Sequence, residues 1–335
     1  MKLERLEELL HQVSSKRVLV IGDLMLDEFV WGRVSRISPE APVPVVEVIR
    51  ESYYPGGAAN VARNVREFTP SVYVMGLVGE DAHGERLRKL LGESGIRLEG
   101  PHDDASFQTI VKTRIIARQQ QVVRVDRERH QPLSAEGQAN CVERVQTLLP
   151  HLDAVIFEDY GKGLLQQAFV DSVATLAKGA GKLVTADPNA HNQLVWRGIT
   201  AVKPNRSEAF AAAKHPWHEP EPDPLDDEPL LQVGAELLRA WSPELLLITL
   251  GEQGMILFDQ ANPPFHIPSR AREVYDLSGA GDTAIALFSL ALASGASPVE
   301  AAEISNHASS VVVGKLGTAT LTQQELVASF RQTDG

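Results

Sequence analysis

Short apolar runs recur along the chain, and each gives way to an amphipathic stretch: RVLVIGD to AANVARNVREF, and SVYVMGLVGE to HGERLRKLLGESG. A strand buried on both faces reads as a continuous apolar run, whereas a helix lying on a sheet carries a single apolar stripe. Their alternation predicts β-α-β units, hence an α/β fold with a parallel sheet covered by helices on both faces. Further strands are predicted at 153–158, 182–187, 200–203 and 245–250, each followed by a glycine, proline or asparagine turn. The opening MKLERLEELLHQV places leucines at helical spacing among charges, which predicts a helix and not a secretory signal or transit peptide.

Two stretches break this rhythm. Segments 29–50 and 107–128 are rich in Val, Ile and Arg with near-alternating polarity, as in TIVKTRIIARQQQVVRVDRE, and read as antiparallel strands with one face exposed. They are expected to pair as a small sheet inserted into one α/β unit covering 1–335. An apolar sheet face left uncovered by its own chain needs a ligand or a second subunit, so a homodimer through this sheet is expected. The proline-rich acidic run HPWHEPEPDPLDDEP at 215–229 reads as a solvated loop, and its His215 and His218 lack a second pair at metal-ligand spacing.

Composition narrows the function. With 44 acidic against 32 basic side chains the formal net charge is −12, the opposite of what nucleic acid or an anionic membrane selects. The apolar stretch at 284–296 falls short of the ~20 residues of a membrane span. One cysteine, Cys141, allows no intramolecular disulfide and fits a reducing compartment, so the cytoplasm is expected.

The segment DLSGAGDTAIALFSLALASG carries the strongest chemical signal. Gly279 and Gly281 precede a predicted helix, so free backbone N–H groups and the positive helix end converge where an anion can sit. Asp282 in the first turn can take a proton from a hydroxyl held beside that anion. Anion hole plus base is what phosphoryl transfer to an alcohol requires. The same residues satisfy the dinucleotide pattern G-x-G-x-x-A, but no hydrophobic strand precedes them, and a P-loop is absent because Gly314-Lys315 is followed by Leu316.

Other segments supply companions. In AVKPNRSEAF, Lys203 follows a predicted strand, and Asn205 and Glu208 lie on one face of a starting helix; they can hold Mg²⁺ through its waters or close a capping box, and the two are compatible. LLLITLGEQGMILF ends a buried strand at Thr249, Gly251 and Gly254, where α/β sheets present groups to ligands. Gly56 and Gly57 let the chain approach a ligand, with Asn60 one turn inside the next helix and Asn64 read equally well as a structural contact. Asp23 and Asp27 near the first strand's carboxyl end are candidates for accepting sugar hydroxyls.

Across nearly its whole length the chain resembles the ribokinase-like (PfkB-type) carbohydrate kinases. GGAANVARN is similar to the family's first signature, DLSGAGDT to its second, and Asn205 with Glu208 to its N-x-x-E element. The resemblance implies a three-layer α/β/α fold with a β-sheet lid, ATP and Mg²⁺ as cofactors, and optionally a monovalent cation. It implies that Asp282 deprotonates a sugar 1-hydroxyl while Gly279, Ala280 and Gly281 hold the transferring phosphoryl group. Asp27, Gly56, Gly57 and Asn60 would line the sugar pocket with Asp23, Asp159 and Lys162 nearby, and Asn205, Glu208, Thr249, Gly251 and Asn306 would serve ATP and its Mg²⁺.

The runs IGDLMLDEFVWGRVSRISPEAPVPVV, EDYGKG and VVVGKLGTAT look closest to members acting on D-glycero-β-D-manno-heptose 7-phosphate, on the way to ADP-heptose and lipopolysaccharide. Such a substrate needs a cation for its phosphate. Arg33, Arg36, Lys112, Arg114, Arg118 and Arg124 are available on the lid, and Arg118 and Lys162 are the preferred pair. Leu277 and Ala284 depart from the usual second signature, which has threonine and a bulky residue there. No nucleotidyltransferase motif occurs, so a separate adenylyltransferase is expected. A kinase for another sugar or nucleoside, a non-catalytic sugar-phosphate sensor and an NAD-dependent oxidoreductase remain alternatives.

Overall fold

The computed structural model describes residues 1–100, 107–117, 120–271, 274–315 and 317–331. Helix α1 (Leu3–Val13) leads into strand β1 (Arg17–Gly22), and two long strands follow, β2 (Leu24–Ile37) and β3 (Pro44–Gly57). Then come α2 (Ala58–Arg66), β4 (Ser71–Met75), α3 (Ala82–Glu93), β5 (Arg97–Glu99), β6 (Ile110–Ala117) and β7 (Gln120–Arg127). The chain continues through α4 (Ala135–Leu148), β8 (Ala154–Glu158), α5 (Gln167–Gly179), β9 (Leu183–Asp187), β10 (Ala201–Val202), α6 (Arg206–Ala212) and α7 (Glu228–Trp241). It closes with β11 (Leu245–Thr249), β12 (Met255–Asp259), β13 (Phe265–Ile267), α8 (Ala280–Ala293), α9 (Pro298–Val312) and α10 (Gln323–Arg331).

Among the described residues nine strands form the central sheet in the order β13-β12-β11-β10-β9-β8-β1-β4-β5, parallel except where β12 and β13 add an antiparallel edge. Successive side chains of a strand point to opposite faces, and the two cores divide accordingly. Val18 and Val20 pack with α1, α2, α3, α8, α9 and α10; Leu19 and Ile21 pack with α4, α5, α6 and α7. The result is the three-layer α/β/α arrangement that the apolar runs predict. Helix α8 is buried from Asp282 through Ala291, covered by α2 and α9, which is why its sequence carries no polar stripe.

The connections after β1 run one way to β4 and β5, and those after β8 run the other way to β9. A crevice opens at such a reversal, outside the carboxyl ends of the strands. Here it lies between Gly22-Asp23 and Glu158-Asp159. At Gly22 any Cβ would collide with the carbonyl oxygen of Glu158, so glycine lets these two strands end side by side.

The inserted segments form a separate four-stranded sheet, β3-β2-β6-β7. β2 pairs β3, and β6 pairs β7, in antiparallel fashion, as expected from the sequence. The seam between the two insertions is parallel, from Met25↔Ile110 to Gly32↔Ala117, because β2 and β6 both run outward from the body. The first pair also starts earlier and ends later than 29–50, rooted in the body at Leu24 and Gly57. The acidic run at 215–229 is not wholly solvated: Asp227 is buried, caps α7, and pairs with Arg206 at 2.8 Å.

Candidate active site

Asp282 occupies the first turn of α8 and is only 5 % exposed. Its Oδ2 accepts a hydrogen bond from Asn60 Nδ2 at 2.7 Å, and its Oδ1 accepts one from the Tyr160 hydroxyl at 2.8 Å. Burial pushes this carboxyl up from its ordinary value, while the Asn60 and Tyr160 donors pull it back down. A buried carboxyl held by two donors can accept a proton from a hydroxyl placed beside it. Asn60 is fully buried in α2, and its own oxygen accepts from Arg63 at 3.3 Å.

Gly279, in the left-handed region at φ 80°, turns the chain into α8, so Gly281 lies inside the first turn and not before it. The Ala280 N–H is taken by Leu277 at 3.3 Å, whereas those of Gly281 and Asp282 have no backbone acceptor among the described residues. These are the free donors of a helix start. A Cβ at Gly281 would stand 3.7 Å from Lys203 Nζ and 3.9 Å from Asp187 Oδ2. Two free amides and an ammonium therefore converge beside the Asp282 carboxylate, which is an arrangement for an anion next to a base.

Lys203 is buried and pairs with Asp187 at 2.7 Å. Burial raises Asp187, with Lys203 acting against it; Glu158 is raised well above the carboxylate range by burial and by the nearby Asp187 and Asp282. Glu158 Oε2 has no hydrogen-bond partner among the described residues. Asn205 and Glu208 form the capping box of α6: Asn205 Oδ1 accepts from Glu208 N at 2.9 Å, and Glu208 Oε2 accepts from Asn205 N at 2.8 Å. The two readings of this pair remain compatible, since Glu208 is also within the electrostatic reach of Lys203. Among the described residues no group of three or more carboxylate, histidine or cysteine side chains could hold a metal ion directly, so a Mg²⁺ beside nucleotide phosphates would have to be held through its own waters, for which Glu208 and the orphaned Glu158 offer hard oxygens.

Beside the start of α8 lies a cavity of about 460 Å³. Thr249, Gly251 and Gly254 line it, as do Asn306, Ala280 and Gly281. Met255, Val274 and Val313 make the wall apolar, and the departures Leu277 and Ala284 both face it. Asn306 is tied by its amide to the Pro268 carbonyl at 2.7 Å.

At the root of the inserted sheet, Asp27 is buried and paired with Arg114, and a Cβ at Gly56 would strike it, so Gly56 and Asp27 are brought together. Gly57 sits against Met25 and the Asp23 carbonyl at the foot of the lid. Asp23 is engaged by the loop after β8. Its Oδ2 accepts from the N–H groups of Tyr160 and Lys162 at 3.1 and 3.0 Å, and its Oδ1 from Leu164 at 3.4 Å. Burial raises this carboxyl, the amides act against that shift, and together they hold the loop that follows β8. Asp159 Oδ1 likewise accepts from Gly161 N at 2.8 Å and Asn192 Nδ2 at 3.1 Å, and burial pushes it up to about 7. Lys162 is paired with Glu128 at 2.8 Å, and Arg118 lies outside the described residues.

Sequence reasoning missed Tyr160, Asp187 and Glu158. Each stands at or just beyond the carboxyl end of β8 or β9, and that position was the available signal. Removing the Tyr160 hydroxyl takes away one donor that lowers Asp282. Tyr160→Phe should therefore move the acid limb of the kcat/KM profile to higher pH, because the base gains its proton sooner. An unmoved limb would mean that the phenol does not set the base.

A family model described as pfkB family carbohydrate kinase matches residues 15–325. Two relatives, each called Bifunctional protein HldE, come from Desulfatibacillum aliphaticivorans and Citrifermentans bemidjiense and are 42 % and 41 % identical over 318 and 329 residues. The alignments cover 95 % and 98 % of this chain but 64 % and 66 % of those proteins, so the chain spans just under two thirds of their length. Among solved structures, Arabidopsis thaliana ribokinase complexed with ribose and ATP superimposes with a TM-score of 0.70 at 20 % identity, covering 95 % of this chain and 99 % of that one. Phosphofructokinase-2 from Escherichia coli gives 0.75 at 17 % identity over 96 % and 100 %. These structural likenesses show a shared ribokinase-like fold. Together with a family match that runs from before β1 into the last helix, they establish that the chain belongs to the pfkB family of carbohydrate kinases, phosphotransferases that act on sugars.

Proposed function

We propose that the chain transfers the γ-phosphoryl group of ATP to the anomeric 1-hydroxyl of D-glycero-β-D-manno-heptose 7-phosphate, giving the 1,7-bisphosphate. The observation that carries this reading is the buried Asp282 carboxylate standing beside two free amides and Lys203. Asp282 takes the proton as the O–H bond breaks, the hydroxyl oxygen bonds to the γ-phosphorus, and the bond to the β-phosphate oxygen breaks to release ADP. The Gly281 and Asp282 amides and Lys203 face the charge that develops on the phosphoryl oxygens. Mg²⁺, held through water by Glu208 and its neighbours, neutralises phosphate charge when bound. The cavity bounded by Thr249, Gly251 and Asn306 suits the adenosine moiety.

The choice of heptose rests on the runs quoted from the sequence and on the likeness to proteins named HldE. The nucleotidyl transfer that would follow belongs to a separate adenylyltransferase domain or enzyme. The lid exposes Ile37, Val48, Ile49, Val123 and Val125, an apolar surface that a second copy of the chain would cover in a homodimer. No helix among the described residues is long and apolar enough to cross a membrane.

The test is ADP release with Mg-ATP against heptose 7-phosphate, fructose 6-phosphate, ribose and adenosine, with phosphorus NMR of the product. Turnover of heptose 7-phosphate alone, with a new anomeric phosphate, is the expected result. Turnover of another member of the panel would keep the mechanism and discard the heptose; binding without turnover would point to a sensor.

A further inference from the structure

Resting on the sugar-phosphate reading above, we propose that Lys112 binds the phosphate the substrate already carries, and so selects phosphorylated over free sugars. Lys112 lies on β6, with Arg114 two residues on and therefore on the same face. The register sets Lys112 beside Asp27 on β2 and Asp126 on β7. Its ammonium sits 5.4 Å from the centre of the Tyr160 ring, whose hydroxyl binds Asp282. One phenol ring thus separates this cation from the base, which puts it at the far end of a small sugar whose reacting hydroxyl meets Asp282.

The acidic groups around Lys112 are already engaged. Arg114 holds Asp27, Arg124 grips Asp126 through two hydrogen bonds of 2.9 Å, and Lys162 holds Glu128 at 2.8 Å. Lys112 forms no ion pair with the described residues, although it is half-buried; burial, more than any neighbour, lowers its pKa. An ammonium withdrawn from water without a counter-ion is costly, and a phosphate at this place removes the cost. The preferred phosphate contact from sequence, Lys162, has its carboxylate already; Arg33 and Arg36 are exposed on the outer half of β2, away from the base.

The experiment compares the wild-type chain with Lys112→Gln and Lys112→Arg on heptose 7-phosphate and on the same heptose without phosphate. The preference for the phosphorylated sugar should fall by about 10²-fold in the Gln variant, chiefly through KM, and return largely in the Arg variant. Equal losses on both sugars, or an unchanged preference, would overturn the proposal. If the wild-type chain ignores both heptoses, the heptose reading fails separately, and the same ratio is read on the sugar phosphate it does use. Where no sugar turns over, calorimetric affinity supplies the ratio. A wild-type chain that prefers the unphosphorylated form would also sink the role of Lys112.

Discussion

Asp282→Asn should lower kcat by about 10²–10⁴-fold while sugar affinity stays close to that of the wild type. The substitution keeps the shape of the side chain at the start of α8 and removes the lone pair that accepts the proton. Asn60 Nδ2 can still donate to an amide oxygen, and the Tyr160 hydroxyl can turn to accept from the new NH₂ group, since a phenol both donates and accepts. The local packing therefore survives and the loss is read in turnover, with calorimetry of sugar binding as the control. Near wild-type kcat in this variant would remove Asp282 from the role of base.

The two glycines of the same turn should fail in different ways. Gly281→Ala places a methyl without a clash, in ordinary van der Waals contact 3.7 Å from Lys203 Nζ, and alanine in a helix is favoured over glycine by about 0.5–1 kcal/mol. The variant should fold at least as well as the wild type and yet lose about 10²–10³-fold in kcat, because the methyl stands where the free amides and the ammonium converge. Gly279→Ala meets both obstacles. Its φ of 80° costs an L-residue about 1–2 kcal/mol, and its Cβ would come 2.8 Å from Asn60 Nδ2, forcing that donor off the base. Thermal midpoints and kcat for the pair separate strain from chemistry. A fully active Gly281→Ala enzyme would move the transferring phosphoryl group away from these amides.

Much of the fold was legible. The apolar runs marked β1, β4, β8, β9 and β11, and alternating polarity marked the lid, because a buried strand and a half-exposed strand leave different periods in the chain. The start of α8 was legible to within two residues from its glycines, and the capping box at Asn205 and Glu208 from its spacing. The orientation of β2 against β6 was not, since residues of either strand would alternate in the same way beside a parallel or an antiparallel partner.

What the sequence by itself determined is therefore local: which segments are strands and helices, where the chain turns, and that a carboxylate stands in the first turn of a helix entered through glycine. The tertiary structure decided how each charge is used. Asn60 and Asp282 are 222 residues apart, and Tyr160 and Asp282 are 122 apart. Arg114 holds Asp27, Lys203 holds Asp187 and Asp23 accepts from loop amides, while Lys112 forms no ion pair among the described residues. Periodicity and caps act over a few residues, whereas these pairings follow from strand order and crossover. In a parallel sheet whose strand order reverses between β1 and β8, distant strand ends are brought to one crevice, and burial there decides which polar groups must find a partner.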